Sequence, residues 1–221
     1  MNIDKLRANL IDISPCVSED SAVFPGDQPM RLIRRKQFGQ EGTYLLVSSI
    51  TSTLHVGAHA DAPIHYDCAG KSIDDVDLWR YLGKCEVIAA APKCPLGLLT
   101  EGDLPTIAPG TQRVLFRTDS VNDDTLWQQQ FTALSAGLVG ALAKAGVVLV
   151  GIDTPSIDPA NSLDLSAHRA ISTNGMSILE GLDLHKVTPG SYDLIALPLR
   201  LCGADASPVR AILLPPGTFT N

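Results

Sequence analysis

Hydrophobic residues occur along the chain mainly in short runs that are rich in valine, leucine and isoleucine and end at turn-forming residues. Such runs predict β-strands. The predicted strands are residues 10–14, 30–38, 44–53, 85–91, 112–117, 147–152, 192–197 and 209–214. A turn at Phe24-Pro25-Gly26-Asp27 joins the first two, because a Pro-Gly step is a strong turn signal. The third strand is expected to bury at least one face.

Two helices are predicted between the later strands. Residues 134–145 are small and aliphatic, which predicts a helix packed closely on a sheet, and residues 166–172 form a short helix. The first helix joins strands 112–117 and 147–152 in a right-handed βαβ unit, so part of the sheet should be parallel. The loop Asp153-Thr154-Pro155-Ser156 then lies where open α/β sheets usually bind ligands. We therefore predict an α/β protein with mixed parallel and antiparallel strands.

Composition narrows the class of protein. The chain has 221 residues, of which 45% are hydrophobic and 19% charged, so we expect a single folded domain spanning residues 1–221. The net charge of −7, with no basic stripe, excludes a nucleic-acid partner. No apolar leader is present, and Lys144 interrupts the longest apolar segment, so we predict no export signal and no membrane span.

The five cysteines are scattered and form no C-x-x-C pair. An odd, scattered set makes a poor disulfide framework, so a reducing cytoplasm fits best. Each cysteine is expected to be a small apolar filler. The cysteines at issue are Cys16, Cys68, Cys85, Cys94 and Cys202.

A cluster of histidines carries the main chemical signal. The run from His55 to His65 contains three of the five histidines and a carboxylate, Asp61, within eleven residues. Imidazole and carboxylate are the groups that Zn²⁺ and related divalent metals bind when thiolates are absent. The density of such groups therefore predicts a metal site.

No straight element can bring these groups together. On a helix, Asp61 would point about 240° round from His55. On a strand, the same two residues would lie about 20 Å apart. The chain must therefore curl around the metal, and Gly57 and Pro63 are suited to let it bend and then hold it.

The histidine-rich run resembles the H-x-G-x-H-x-D-x-P-x-H signature of the cyclase-like metal hydrolases. The flanking segments resemble the bacterial kynurenine formamidase branch of that family over nearly the whole chain. They are Ile11-Asp12-Ile13-Ser14, Phe24-Pro25-Gly26-Asp27, Tyr81-Leu82-Gly83, residues 151–156, Ile178-Leu179-Glu180-Gly181 and residues 196–201. The resemblance implies a compact layered β/β/α fold, with a parallel sheet against an antiparallel sheet and helices, and a homodimer.

The same resemblance implies the roles of individual residues. It makes metal ligands of His55, His59, Asp61, His168 and Glu180. Two zinc ions are implied, with Asp61 and Glu180 shared between them and His168 completing the second ion. His65 is implied to be the proton shuttle. Phe24 occupies the position at which the family commonly has tryptophan. We expect it either to line the substrate pocket or only to stabilise the turn by hydrophobic packing.

The implied reaction is hydrolysis of N-formylkynurenine to kynurenine and formate by a metal-activated water. The chain has no G-x-S-x-G motif, so a serine-hydrolase route is not supported. An alternative is hydrolysis of another small amide, imide or lactone such as isatin. His59, Asp61 and His168 also match the facial triad that binds iron in non-haem oxygenases. A third alternative is a metal-binding protein without catalytic activity.

Three further residues near these segments lie outside the set of metal-binding candidates. Asp153 and Ser156 are expected either to orient the site or to shape their loop. His185, next to Lys186, is expected to be a solvated surface residue.

Overall fold

In the computed structural model the described residues are 7–39, 42, 44–90 and 97–219. Their strands, in chain order, are β1 (Ile11–Asp12), β2 (Arg31–Lys36), β3 (Val47–Thr51), β4 (His59–Asp61), β5 (Leu82–Ala89), β6 (Leu98–Leu99), β7 (Arg113–Arg117), β8 (Ala133–Leu134), β9 (Leu149–Ile152), β10 (Ser177–Glu180), β11 (Gly190–Ile195), β12 (Ala206–Pro208) and β13 (Ile212–Leu214). The α-helices that matter for the site are α1 (Ala136–Lys144) and α2 (Ser166–Thr173).

Nine of the described strands form one mixed sheet in the order β1-β13-β11-β5-β7-β9-β10-β4-β12. Strands β5, β7, β9 and β10 run parallel to their neighbours in this set, and the flanking strands pair antiparallel. The predicted α/β fold with a mixed sheet is therefore confirmed. Helix α1 connects β7 to β9, which are parallel neighbours as the βαβ prediction requires.

The parallel strands are buried on both faces, so successive side chains enter two separate cores. In β7, Val114 and Phe116 belong to the core that includes Leu138 and Leu142 of α1, whereas Leu115 belongs to a second core formed by residues of other strands and of loops. In β10, Ile178 and Leu179 divide in the same way. This alternation follows from the two-residue period of a strand. The central strands are thus held from both sides, which keeps the ends that carry the site in fixed positions.

Local signals set the bounds of α1. The side chain of Ser135 accepts a hydrogen bond from the backbone N–H of Leu138 and caps the first turn. Gly146 follows the helix with a φ of +91°, a left-handed conformation that commonly ends helices. Leu138 and Leu142 are buried, as expected for a helix packed against a sheet.

Two sequence expectations are wrong in their details, and some short strands were missed. Strand β3 does not bury a face: among the described residues it pairs only with β2, outside the main sheet, and four of its five residues are exposed. The short strands β4 and β10 were not predicted, because three or four residues are too few to show a period. The expectation that each cysteine is a small apolar filler is also wrong in part. Cys85 is buried, but Cys16, Cys68 and Cys202 are exposed free thiols.

Ala91, at the end of a predicted strand, and Cys94 lie outside the described residues. Among the residues that the structure describes, no helix combines the length and apolarity needed to cross a membrane.

Two glycines touch where β4 and β10 meet. Gly57 and Gly181 have φ values of +58° and +63°, and a Cβ at Gly181 would lie 2.3 Å from the carbonyl oxygen of Gly57. A side chain at Gly181 would therefore combine backbone strain with a clash against backbone. This close approach brings the end of β10 against the loop that enters β4.

We predict that Gly181→Ala lowers the free energy of unfolding by at least about 1 kcal/mol, because alanine pays for the left-handed conformation and must also displace Gly57. Gly140→Ala is the matched control, since Gly140 lies in α1 with open space around its missing Cβ. That change should raise stability by about 0.5 kcal/mol. Urea denaturation measures both, and equal midpoints for the two variants would contradict the prediction.

Candidate metal centre

Three elements bring the buried part of the site together. Strand β4 carries His59 and Asp61, β10 carries Glu180, and α2 carries His168; all four side chains are buried. The antiparallel register pairs His59 directly with Glu180. Groups that lie more than a hundred residues apart in sequence thus converge at the junction of a strand pair and a helix.

The other two predicted histidines lie on either side of β4. His55 is in the loop before the strand, and His65 ends a 3₁₀ turn, Pro63–His65. Their rings are 4.2 Å apart between centroids. Gly57, with its positive φ, and Pro63, at the first position of the turn, bend the chain as expected. The predicted curl of the histidine-rich run is therefore confirmed.

Each buried carboxylate faces different histidines with its two oxygens. Oδ1 of Asp61 lies 3.0 Å from Nδ1 of His55 and 3.5 Å from Nε2 of His59, whereas Oδ2 lies 3.4 Å from Nε2 of His168. Oε2 of Glu180 lies 3.4 Å from Nε2 of His59, and Oε1 lies 3.5 Å from Nε2 of His168. The two carboxylates therefore stand between two sets of imidazole nitrogens.

The remaining ring nitrogens of His55 and His59 have partners outside this cluster. Nδ1 of His59 lies 2.9 Å from the carbonyl oxygen of Gly57, so this nitrogen donates and Nε2 is left as the lone-pair donor. Nε2 of His55 lies 3.0 Å from a carboxylate oxygen of Asp205. Metal-binding histidines characteristically donate their second N–H to such acceptors, which fixes the tautomer and the ring orientation.

Asp158 performs the same task for His168 and also begins helix α2. Its carboxylate accepts hydrogen bonds from Nδ1 of His168 at 2.7 Å and from the backbone N–H groups of Ala167 and His168 at 3.0 Å. The residue just before the helix, Leu165, has no side chain that can cap. Asp158 therefore satisfies the helix N-terminus and orients the histidine together.

Sequence reasoning missed both Asp158 and Asp205. Asp205 stands between two alanines in a loop and carries no local signal. A signal for Asp158 did exist: a helix predicted at residue 166 has leucine at its cap position, which implies a cap from elsewhere.

Unpartnered buried atoms indicate what the cluster lacks. Within the described part of the chain, Nε2 of His59 and both carboxylate oxygens of Asp61 are buried and make no hydrogen bond of good geometry, although Nδ1 of His55 lies 3.0 Å from Oδ1 of Asp61. Such atoms are costly in a folded protein unless something satisfies them. Imidazole nitrogens and carboxylate oxygens match the donors that divalent metals such as zinc prefer. His55, His59, Asp61, His168 and Glu180 could therefore hold divalent metal.

The charge balance of the cluster favours cations. Burial acts to lower the pKa of His55, but Asp61 and Asp205 outweigh it and raise that pKa to about 9. Burial is likewise outweighed at His168, where Asp158 and Asp61 raise the pKa to about 10. His65 differs, because burial lowers its pKa and leaves the ring neutral at pH 7. The protein without metal therefore holds protons where metal ions would supply positive charge.

A cavity of about 710 Å³ opens above the cluster, and aromatic rings form part of its wall. Phe24 lines it and packs edge-on against Trp127, with centroids 5.1 Å apart. Trp127 in turn contacts Phe131 at 6.3 Å. The turn at Phe24 is formed as predicted, since the N–H of Asp27 donates to the Phe24 carbonyl. Sequence reasoning missed Trp127, which supplies an indole from another segment.

The two loop residues left open by the sequence also border this cavity. The carboxylate of Asp153 accepts hydrogen bonds from the backbone of Thr118 and Asp119 and from the Thr118 hydroxyl, so it holds a neighbouring turn. The hydroxyl of Ser156 accepts a hydrogen bond from the Asp158 N–H and supports that residue. Both act on the loops around the cluster and are not part of it.

A protein-family model named Cyclase matches residues 11–159. The chain belongs to the cyclase family. It is 48% identical to a kynurenine formamidase of Delftia acidovorans, over 94% of this chain and 98% of that protein. Among solved structures, it is similar to a predicted metal-dependent hydrolase from Bacillus stearothermophilus, with a TM-score of 0.77, 26% identity and coverage of 93% of this chain and 97% of that one. Isatin hydrolase A from Ralstonia solanacearum shares the fold, with a TM-score of 0.78, 23% identity and coverage of 93% and 91%.

The part of the chain that matches the cyclase family model contains the whole run from His55 to His65. It ends before His168 and Glu180, which complete the cluster in three dimensions. In this cyclase-family chain the second half of the donor set therefore lies outside the matched residues, and His168 and Glu180 join the first half through their contacts with Asp61 and His59.

We predict that metal uptake at pH 7 releases at least about two protons per chain, because the raised pKa values of His55 and His168 mean that metal must displace a proton from each ring. Affinity should therefore rise with pH up to about 10, the raised pKa of His168, by as much as about tenfold per unit for each proton displaced. Titration calorimetry in two buffers of different ionisation enthalpy counts the protons. His185→Ala, a change outside the cluster, should leave the count unaltered, and uptake without proton release would show that the prediction is wrong.

Proposed function

We propose that the chain hydrolyses N-formylkynurenine to kynurenine and formate at a centre of two zinc ions. The observation that carries this proposal is a buried set of imidazole and carboxylate donors with unpartnered atoms, beneath a cavity walled by aromatic rings. The 48% identity with the Delftia acidovorans formamidase over almost the full length of both chains supports the substrate.

The arrangement of the carboxylates favours two ions. Asp61 and Glu180 each direct one oxygen toward His59 and the other toward His168. Each carboxylate would thus offer one oxygen to an ion held with His59 and the other oxygen to an ion held with His168. When bound, the metals would supply a water acidified toward neutral pH and positive charge beside the oxygen of the attacked carbonyl. Asp158, Asp205 and the Gly57 carbonyl hold the histidine rings in the orientation that this requires.

His65 is the residue that moves the proton. Its ring lines the cavity and is neutral at pH 7, because burial lowers its pKa. A neutral imidazole can accept a proton from water and pass it to the departing anilide nitrogen, which is a poor leaving group without it. Nδ1 of His65 lies 3.6 Å from Asp205, which would stabilise the ring while it carries the proton.

The aromatic wall would hold the substrate ring. Phe24 and Trp127 come from different segments and meet edge-on at the cavity, so a planar aryl group can pack against both. A facial-triad iron site needs only three protein ligands, so His55 and Glu180 would not bind the metal there. The five-residue donor set therefore favours the hydrolase. Isatin is a cyclic amide, and its hydrolysis tests the alternative substrate class.

We also propose that the enzyme is a cytoplasmic homodimer. All six residues of β2 and four of five in β3 are exposed, including Leu32, Ile33 and Ile50. An isolated two-stranded hairpin is marginally stable in water, and contact with a second copy would cover these exposed apolar side chains. Sedimentation equilibrium tests the dimer, and a monomer at micromolar concentration would refute it.

Two substitutions test the separate roles of proton shuttle and ligand. His65→Ala should retain most of its metal and lose about 10²- to 10⁴-fold in kcat, the usual range for general acid–base catalysis. Glu180→Ala should lose both metal and activity, because its two carboxylate oxygens would hold metal beside His59 and His168. Formate release and metal analysis on the same samples measure both quantities. A metal-free protein with full activity would refute the proposed function, and loss of metal in His65→Ala would make His65 a ligand.

A third variant tests the aromatic wall. Phe24→Ala should lower kcat/KM for an aryl formamide by more than about tenfold, because ring packing and apolar burial are lost together. Phe24→Trp should be tolerated, since its ring fits a similar place. Formamide without an aryl ring should be a poor substrate and almost insensitive to the change. Equal losses on both substrates would assign Phe24 to the turn alone.

A further inference from the structure

The residues that line the cavity range from buried to exposed. The cluster at the base is buried, whereas Phe24 on the wall is about half exposed. Asp183 and Lys186, which also line the cavity, are exposed. The buried metal donors, the half-exposed Phe24 and an exposed charged rim, Asp183 and Lys186, therefore line the same cavity, and the proposed function uses only the first two.

Lys186 is distinctive among the rim residues. Of the described residues that line the cavity, it is the one lysine or arginine, while several carboxylates line the same space. No carboxylate within the described part of the chain forms an ion pair with its ammonium group. The cavity thus presents a cation that is free to meet an anionic ligand.

The turn that carries Lys186 is held on both sides. The carbonyl of Val187 accepts a hydrogen bond from Arg117 at 2.6 Å, and the Val187 N–H donates to the Leu184 carbonyl. Nε2 of His185 lies 3.0 Å from the carbonyl of Val121, so its N–H ties this turn to the loop on the aromatic side of the cavity. His185 was expected to be a solvated surface residue. It is exposed, but its ring also fixes the turn that carries Lys186. A fixed backbone reduces the entropy lost when Lys186 engages a ligand.

An acidic group accompanies this cation. Asp183 lies three residues before Lys186 on the same turn and also lines the cavity. Its side chain is about half exposed, and its Oδ1 lies 3.5 Å from Nδ1 of His185, which leaves Oδ2 to face a ligand. Its backbone N–H donates to the carbonyl of Ile13, which fixes its backbone. A cation and an anion on one rigid turn complement a zwitterion.

We propose that Lys186 binds the α-carboxylate of an aryl formamide that carries an α-amino acid group, with Asp183 facing the ammonium group. This inference rests on the proposed function and adds to it a determinant of substrate specificity. The formamide reaches the base, the ring meets Phe24 and Trp127, and the zwitterion meets the rim. Lys186 acts on binding and takes no part in bond cleavage.

The test compares two substrates that differ only in the amino acid end: N-formyl-L-kynurenine and 2′-formamidoacetophenone. Lys186→Met should raise KM about tenfold for the first, the size expected for loss of a charged hydrogen bond, and leave kcat within about twofold. KM for the second should not change. Lys186→Arg should restore most of the affinity, and Lys144→Met, on the exposed end of α1, is the matched control.

The possible outcomes separate this inference from the proposed function. If the unaltered enzyme hydrolyses neither substrate, the proposed function fails and the inference fails with it. If it hydrolyses both, and Lys186→Met changes KM equally for both or for neither, only the role of Lys186 is overturned. A rise in KM confined to N-formyl-L-kynurenine and reversed by Lys186→Arg supports recognition of the carboxylate.

Discussion

The burial of Asp61 and Glu180 is the constraint on which the site depends. Two carboxylates removed from water need compensation, and an unpaired buried charge is far more costly than an exposed one. The histidines around Asp61 and Glu180 stand mostly 3.4–3.5 Å away, too far for strong hydrogen bonds but suitable for donors that share an ion. The raised pKa values of His55 and His168 express the same excess of negative charge.

That constraint accounts for the polar groups outside the donor set. Each histidine needs one nitrogen aimed inward, so each has an acceptor on its other side, supplied by Asp158, Asp205 or the Gly57 carbonyl. Asp158 also caps α2, so the same carboxylate that orients His168 stabilises the helix that carries it. Asp158 therefore fixes both the orientation of His168 and the residue at which α2 begins.

The parts that could be predicted from the sequence are those with local signals. The run from His55 to His65 indicates metal binding by its density, and Gly57 and Pro63 mark its bends because their backbone restrictions are intrinsic. The parallel strands around α1 follow from long hydrophobic runs on either side of a helix. These features involve residues close together in sequence, where period and spacing are informative.

Other features were missed or mistaken because their partners are distant. Trp127 meets Phe24 only through the fold, and Asp205 meets His55 across 150 positions. Strand β3 was expected to bury a face because an apolar strand pattern does not distinguish a side covered by the protein's own core from one left exposed. Strand β10 is so short that its hydrophobic pattern could not identify the element that carries Glu180.

The contact between Gly57 and Gly181 has a consequence for how such a protein can diverge. Neither position can accept another side chain without strain or collision, and both adjoin the donor set, so inherited variation at the base of the cavity is strongly restricted. The rim is built from exposed loop residues such as Asp183 and Lys186, where substitutions cost little stability. New substrate preferences can therefore arise by exchange of rim residues while the chemistry at the base is inherited unchanged.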